Sequence, residues 1–120
     1  STDVSGFGLA GHLLTMLRSS GVGATLDLDA LPALPGAVEL LAAGIRSTLH
    51  PANERGAIGA FTLRPGTAVH ARFALLFDPQ TSGGLLLATA DPAPLLDALH
   101  EAGIAAVIVG AIVAGSGVAC

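Results

Sequence analysis

The chain has 120 residues, of which 52% are hydrophobic and only 12% are charged, and its formal net charge is −4. A chain of this length is expected to form one domain, and an acidic balance with five arginines, no lysine and no basic cluster argues against nucleic acid as a partner. A single cysteine at the last position excludes a disulfide within the chain and a cysteine-based metal cluster, and it fits a reducing, cytoplasmic setting.

The first third of the chain contains a strong helix pattern and then a strand pattern. Apolar residues at helical spacing predict a helix from about Phe7–Ser20, with Ser5 as its N-cap and Gly21 as its stop signal. The alternating stretch Ala24–Leu28 predicts a strand, and a proline-rich loop is predicted over residues 31–36.

The middle third is composed of shorter segments. A short helix is predicted over Ala37–Ala43 and ends at Gly44, and a second is predicted over His50–Arg55, with a proline in its first turn. Residues 64–67 predict a turn. The apolar run Val69–Phe77 is compatible with either a helix or a strand.

The last third predicts two strands around a helix. Gly84–Ala90 is a strand-like run, and the helix that follows has Asp91 as its N-cap and ends before Gly103. Ile104–Val113 is the most strand-like segment and is predicted to be buried, because an apolar run this short, broken by a glycine, cannot span a bilayer. The alternation of strands and helices predicts a layered α/β or α+β domain with no membrane segment.

The chain opens with S-T-D-V-S-G-F-G-L-A-G-H, an acid followed by a glycine-rich entry into the first predicted helix. Free N–H groups at a helix N-terminus bind phosphate, and glycines let the phosphate approach the backbone. Asp3 would repel a bare phosphate, but Mg²⁺ accepts carboxylate and phosphate oxygens together. The pattern is therefore compatible with a metal ligand, Asp3, beside a phosphate-binding turn at Gly6, Gly8 and Gly11. From spacing alone, a turn-capping acid and glycines that serve tight packing are favoured.

A second motif, D-P-Q-T-S-G-G-L-L, covers Asp78–Leu86. The Asp-Pro pair starts a turn, and Thr81 and Ser82 supply hydroxyl groups. Gly83 and Gly84 permit unusual dihedral angles and expose backbone donors just before a strand. Such a loop can recognise an anion. Taken alone, the motif is again better explained as a tight connection.

Together, the opening motif and L-F-D-P-Q-T-S-G-G-L-L resemble the C-terminal half of the selenophosphate synthetases, also called selenide, water dikinases. The resemblance extends nearly from end to end and includes L-D-L-D-A-L-P-A-L-P-G-A, the H-P-A-N-E-R segment and the closing G-I-A-A-V-I-V-G-A-I-V. D-P-Q-T-S-G-G-L-L is quite specific to this family. The opening motif departs slightly, with Ser5 where the family usually has Thr and Ala10 where it often has Leu.

The resemblance implies an α+β layered domain, loosely ferredoxin-like, of a superfamily that also contains aminoimidazole ribonucleotide synthetase and thiamine-phosphate kinase. The family makes selenophosphate from selenide, ATP and water, with AMP and phosphate as co-products. By this resemblance Asp3 is a Mg²⁺ ligand. The residues expected near the nucleotide are two glycines of the opening turn and the loop of the second motif: Gly6, Gly8, Thr81, Ser82, Gly83 and Gly84.

The same resemblance implies a larger protein. In the family, the other acidic metal ligands, the catalytic Cys or selenocysteine and an essential Lys belong to the N-terminal domain, and none is present here. We therefore expect residues 1–120 to be the C-terminal domain of a two-domain, dimeric synthetase that uses ATP and selenide, with that N-terminal domain as its partner and no turnover by the chain alone. The low charged fraction fits a domain that packs against a partner, and an Ala- and Gly-rich composition explains it equally well.

Other polar residues are expected to have structural roles. His12 can reach a phosphate from the first helix but is expected to cap or pack, and Asn53 is expected to cap its helix rather than to orient a substrate. Asp78 is expected to form a turn, and Asp27 and Asp29 are expected to be solvated or bonded to a loop. The other three histidines lack metal-ligand spacing and are expected at the surface: His50, His70 and His100.

Two alternatives to the synthetase remain open. One is a sister ATP-dependent kinase or ligase of the same superfamily, against which D-P-Q-T-S-G-G favours the selenium branch. The other is a non-catalytic orphan domain that only binds a partner. Burial of Asp3 in a salt bridge within the domain would count against the synthetase interpretation.

Overall fold

The structure is a computed structural model that describes all of residues 1–120. It contains four helices: α1 Gly8–Ser20, α2 Ala37–Ala42, α3 His50–Ala57 and α4 Pro92–Glu101. It also contains six short strands: β1 Thr2–Asp3, β2 Gly23–Leu26, β3 Phe61–Thr62, β4 Leu85–Leu86, β5 Gly110–Val113 and β6 Val118–Ala119. Helices and strands alternate along the chain, and the strands form two sheets, so the expected α+β class is confirmed.

The strands form two separate sheets. The larger has the order β3-β6-β2-β5, in which β6 runs parallel to both β3 and β2, and β5 runs antiparallel to β2. The smaller sheet pairs only β1 with β4, antiparallel. Because β1 lies in the opening motif and β4 forms the end of the second motif, this small sheet brings the two motifs together.

The core lies where α1, the large sheet and the segment before the second motif meet. Leu13, Leu14 and Leu17 form the buried face of α1, as the helical spacing predicts. They belong to one buried cluster with Leu76 and Phe77, which have no exposed surface. Phe77 also meets the rings of other aromatic residues edge-on. The residue that immediately precedes Asp78 is therefore anchored in the centre of the core.

The first predicted helix is confirmed, but its N-cap is wrong. Phe7 occupies the cap position, and no side chain caps the helix. Ser5 contributes its carbonyl oxygen, which accepts from Gly8 N–H at 3.0 Å, while its hydroxyl group bonds to His12 instead. The helix ends as predicted at Gly21, which has a φ of 65°.

The short helices in the middle of the chain are confirmed as α2 and α3, with a proline in the first turn of α3. The apolar run at 69–77 is neither a full helix nor a strand. It contains the end of a 3₁₀ turn at Thr67–Val69 and all of a second 3₁₀ turn at Phe73–Phe77. Pro79 disfavours helical geometry at Asp78, which is extended, so the run cannot continue as a helix.

The predicted buried strand at Ile104–Val113 is wrong in both extent and burial. Only Gly110–Val113 forms a strand, and all four of its residues are exposed. The strand predicted at Gly84–Ala90 is likewise reduced to Leu85–Leu86. The physical reason is that β5 is an edge strand, paired with β2 alone, and that α4 has no buried residue with which to cover it.

Asp91 lies at the N-cap position of α4, as predicted, but its side chain makes no capping bond. None of the four helices has the length and apolar character needed to cross a membrane.

Candidate functional site at the junction of the two motifs

The opening motif and the second motif are joined along their length by backbone hydrogen bonds. Thr2 lies opposite Leu86 and Asp3 opposite Leu85 in the small sheet. Beyond the strands, Val4 N–H donates to the carbonyl oxygen of Gly84 at 2.9 Å. The two motifs that the sequence analysis singled out therefore form one continuous surface.

A third backbone bond continues this junction towards α1. Gln80 N–H donates to the carbonyl oxygen of Ser5 at 3.1 Å. Gly8 has a φ of +70°, and a Cβ added there would lie 2.9 Å from Leu76 O and from the Phe77 carbonyl carbon. Gly8 is therefore required by left-handed geometry and by the close approach of two backbone segments.

The candidate glycines differ in what surrounds them. A Cβ at Gly83 would overlap the carbonyl oxygen of Val4 and the side chain of Gln80, so Gly83 also serves close packing. At Gly6 and Gly84, a Cβ would meet no atom within 4 Å. Gly6 and Gly84 thus have the open space that a ligand needs.

The loop of the second motif is held in an unusual conformation by Ser82 rather than by its glycines. Ser82 has a φ of 53°, whereas neither Gly83 nor Gly84 has a positive φ, so the left-handed residue of this loop is Ser82 and not one of its glycines. A left-handed serine is uncommon and strained. Thr81 and Ser82 are both exposed and present their hydroxyl groups at the surface.

Asp3 is exposed at the edge of the small sheet and takes no part in a salt bridge. Burial of Asp3 in a salt bridge within the domain, which would have counted against a role as a metal ligand, is therefore not found. Nowhere in the chain are three or more His, Cys, Asp or Glu side chains grouped to hold a metal ion. An ion held by Asp3 would therefore take its other ligands from water, from a phosphate ligand or from another polypeptide.

His12 contacts two hydroxyl groups of the opening motif. Its Nε2 lies 3.0 Å from Ser5 Oγ, and its Nδ1 lies 3.5 Å from Thr2 Oγ1. The Thr2 hydroxyl also donates to the carbonyl oxygen of Asp3 at 3.1 Å, so the hydroxyl groups of the opening motif are held by both the ring and the backbone. The Phe7 ring lies against the imidazole, with ring centroids 5.9 Å apart. His12 therefore packs and tethers the turn, as expected.

Asn53 has a role that the sequence does not indicate. Its side-chain amide donates to the carbonyl oxygen of Gly6 at 2.9 Å and to that of Phe77 at 3.0 Å. The expected helix-capping role is wrong, because both acceptors lie outside α3. The two hydrogen bonds join residues that are 47 and 24 positions apart in the sequence, and no local sequence pattern predicts contacts between residues so far apart.

His50 is not at the surface as expected, because it is only 1% exposed. Its ring meets the Phe77 ring edge-on at 6.1 Å, and neither ring nitrogen has a hydrogen-bond partner. Burial lowers the pKa of His50, and nearby Arg46 acts in the same direction, against weaker opposing effects of Glu54 and Asp78. His50 is therefore a neutral core residue behind the junction.

His70, His100, Asp27 and Asp29 take no part in the hydrogen bonds of the junction. His100 is exposed, as predicted. His70 is partly exposed and lies 3.1 Å from the carboxylate of Asp29. Asp29 N–H in turn donates to Asp27 Oδ1, so the expectation that these two acids are solvated or bonded to a loop is confirmed.

Comparison with known proteins identifies the family. Residues 1–120 match the family described as AIR synthase related protein, C-terminal domain. The chain belongs to this family. The sheets and helices described above make this member of the family an α+β domain, as the resemblance implied.

The relatives of this AIR synthase related domain include several proteins named selenide, water dikinase. One from Shewanella baltica (strain OS155) is 41% identical over 113 residues, which is 92% of this chain and 31% of the relative. One from Shewanella sp. (strain W3-18-1) is 43% identical over 104 residues, 82% of this chain and 28% of the relative. One from Nitratidesulfovibrio vulgaris is 44% identical over 88 residues, 73% of this chain and 25% of the relative. The resemblance stated from the motifs is confirmed, and the chain spans less than a third of these relatives.

Proposed function

We propose that the chain is the C-terminal domain of an ATP-dependent selenide, water dikinase, which makes selenophosphate from selenide, ATP and water and releases AMP and phosphate. Identity of 41% over 92% of the chain to a protein of that name supports this assignment. The larger part of each relative lies outside the aligned region, and the catalytic groups that this chain lacks are assigned to it. Alone, the chain is expected not to turn over ATP.

In this proposal the joined motifs form one wall of the nucleotide site, and Asp3 is a Mg²⁺ ligand. The observation that carries the proposal is that the two motifs form one surface at whose edge Asp3 is exposed and unpaired. When bound, Mg²⁺ would supply neutralisation of phosphate charge. The residues present supply only part of a Mg²⁺ site, because Asp3 is a single carboxylate. The other coordination positions would be filled by water, phosphate and ligands of the adjoining domain.

The other site residues have different proposed roles. Gly6 and Gly84 leave room for a phosphate to approach the backbone, and Thr81 and Ser82 offer hydroxyl donors. Gly8 permits the close packing that holds the opening turn against the second motif. Positioning and charge neutralisation account for most of the catalysis of phosphoryl transfer, so a wall that orients donors is a chemically useful contribution.

We also propose that an N-terminal domain of the same protein covers this wall. Phe7, beside the glycine turn, is 69% exposed, and Leu85, the strand partner of Asp3, is 74% exposed. Large apolar side chains on both sides of a polar edge are typical of a surface that another protein body covers. A dimer of such two-domain subunits in the cytoplasm, with no nucleic acid or membrane partner, completes the proposal.

The test replaces the carboxylate of Asp3 in the complete dikinase that contains this chain. Asp3→Asn is isosteric and exposed, so the circular dichroism spectrum and thermal midpoint should not change. Loss of one metal ligand should lower kcat/KM for Mg²⁺-ATP by at least about 100-fold. Asp97→Asn, a matched change at another exposed carboxylate, should stay within about twofold. Equal activities of the two variants would remove Asp3 from the metal site.

A non-catalytic, partner-binding domain is the second candidate. The observation that favours it is the exposure of four large apolar side chains in the last part of the chain: Ile104, Val107, Ile108 and Ile112. Binding of Mg²⁺-ATP to the complete protein separates the candidates, because a pure docking domain predicts none. A sister kinase or ligase of the superfamily would bind the nucleotide but would not consume selenide.

A further inference from the structure

We propose that Asn53 is a positioning residue that fixes the geometry of the nucleotide wall by holding both motifs with one amide group. The inference rests on the proposed function, because it names the residue that sets the spacing of that site. Asn53 lies in neither motif, and it acts through the backbone carbonyl groups of Gly6, in the opening motif, and of Phe77, which immediately precedes the second motif.

The geometry uses both donors of one nitrogen. A primary amide carries two N–H groups, and those of Asn53 donate to Gly6 O at 2.9 Å and to Phe77 O at 3.0 Å. Gly6 belongs to the opening turn, and Phe77 immediately precedes the second motif. One nitrogen therefore spans the junction and limits how far the two segments can separate.

Asn53 is itself held in place by the core. It lies on α3, whose His50 and Ala57 are buried and whose His50 ring meets Phe77 edge-on. The helix packs against α1 and against the 3₁₀ turn that contains Phe77. The amide is thus presented from a third element, independent of the backbone bonds that Val4 and Gln80 make between the motifs.

The bond to Gly6 also orients a donor that the site can use. In a planar trans peptide, the C=O of one residue and the N–H of the next point in opposite directions. Because Gly6 C=O points at Asn53, the N–H of Phe7 points away from Asn53. Neither Gly6 N–H nor Phe7 N–H donates a hydrogen bond within the molecule. Asn53 therefore holds the Phe7 amide ready for an anionic ligand on the open side of the turn.

The first arm of the test is structural and does not depend on the proposed function. Asn53→Asp keeps the shape but replaces the donors with a carboxylate, and Asn53→Ala removes the group if the first variant does not fold. Hydrogen exchange of Val4 and Gln80 should become about tenfold faster, because their bonds cross the junction, with the core amides of α1 unchanged. Thr67→Val, which removes a buried bond to Cys120 O, is the control and should leave both amides protected.

The second arm measures kinetics in the complete protein. Asn53→Asp and Asn53→Ala should raise KM for Mg²⁺-ATP about tenfold while kcat changes less than threefold, and Thr67→Val should change neither. Unchanged exchange and KM in both variants, or equally faster exchange at every amide, would overturn the positioning role. Asp3→Asn, measured in parallel, decides the proposed function: if it is inactive while the Asn53 variants behave as wild type, only this inference fails.

Discussion

Replacement of Gly8 by alanine tests the packing of the two motifs, and Gly6→Ala supplies a matched control two residues away. At Gly8 the backbone has a φ of +70°, which costs an L-residue about 1–2 kcal/mol. The added Cβ would also lie 2.9 Å from Leu76 O and the Phe77 carbonyl carbon, closer than an ordinary contact of 3.4–4 Å. Overpacking of this kind costs about 1–3 kcal/mol. Gly8→Ala should therefore lower the free energy of unfolding by roughly 2–5 kcal/mol.

The control position lacks both the left-handed backbone and the close contacts of Gly8. At Gly6 the Cβ meets nothing within 4 Å and φ is not positive, so Gly6→Ala should change the free energy of unfolding by no more than about 0.5 kcal/mol. The chain has neither Trp nor Tyr, so urea denaturation is best followed by far-ultraviolet circular dichroism. For Gly8→Ala, each kcal/mol should lower the thermal midpoint by roughly 4–8 °C. Equal stabilities of the two variants would refute the reasoning about the junction.

Two further predictions concern buried groups in the same domain. Burial lowers the folded-state pKa of His50, so near pH 6.5 the unfolded chain binds a proton that the folded chain does not bind. The free energy of unfolding, measured by urea denaturation, should therefore fall as the pH drops below about 6.5. His50→Leu should flatten that part of the pH profile, and an unchanged profile would contradict the assignment of His50 as a neutral core residue. Burial raises the pKa of the Cys120 thiol, and Arg64 opposes this effect. Iodoacetamide at pH 8 should therefore label the folded chain far more slowly than the chain unfolded in urea. Equal labelling rates would show that the thiol is accessible in the folded chain.

Local patterns predicted the local parts of the fold. The helical spacing of Leu13, Leu14 and Leu17 identified α1 and its buried face, since those side chains repeat on one side of a helix. Glycine stop signals placed the ends of α1 and α2 to within about a residue. Both motifs were recognised from their residues, and the structure brings them into contact.

The errors concern features that only the tertiary structure determines. His50 was expected at the surface because it lacks metal-ligand spacing, but α3 places its ring in the core against Phe77. Asn53 bonds to carbonyl groups 47 and 24 residues away, and a polar residue has no periodicity that reveals such partners. The apolar run at Ile104–Val113 predicts burial, but burial needs a covering element, and α4 provides none.

The most direct measurement of the central claim is the location of a divalent ion beside Asp3. With ATP and a small amount of paramagnetic Mn²⁺ added to the ¹⁵N-labelled chain, the amide signals of Gly6, Phe7 and residues 81–84 should be selectively broadened, and Asp3→Asn should abolish that broadening. Broadening spread evenly over all exposed carboxylates, or unchanged in Asp3→Asn, would contradict it.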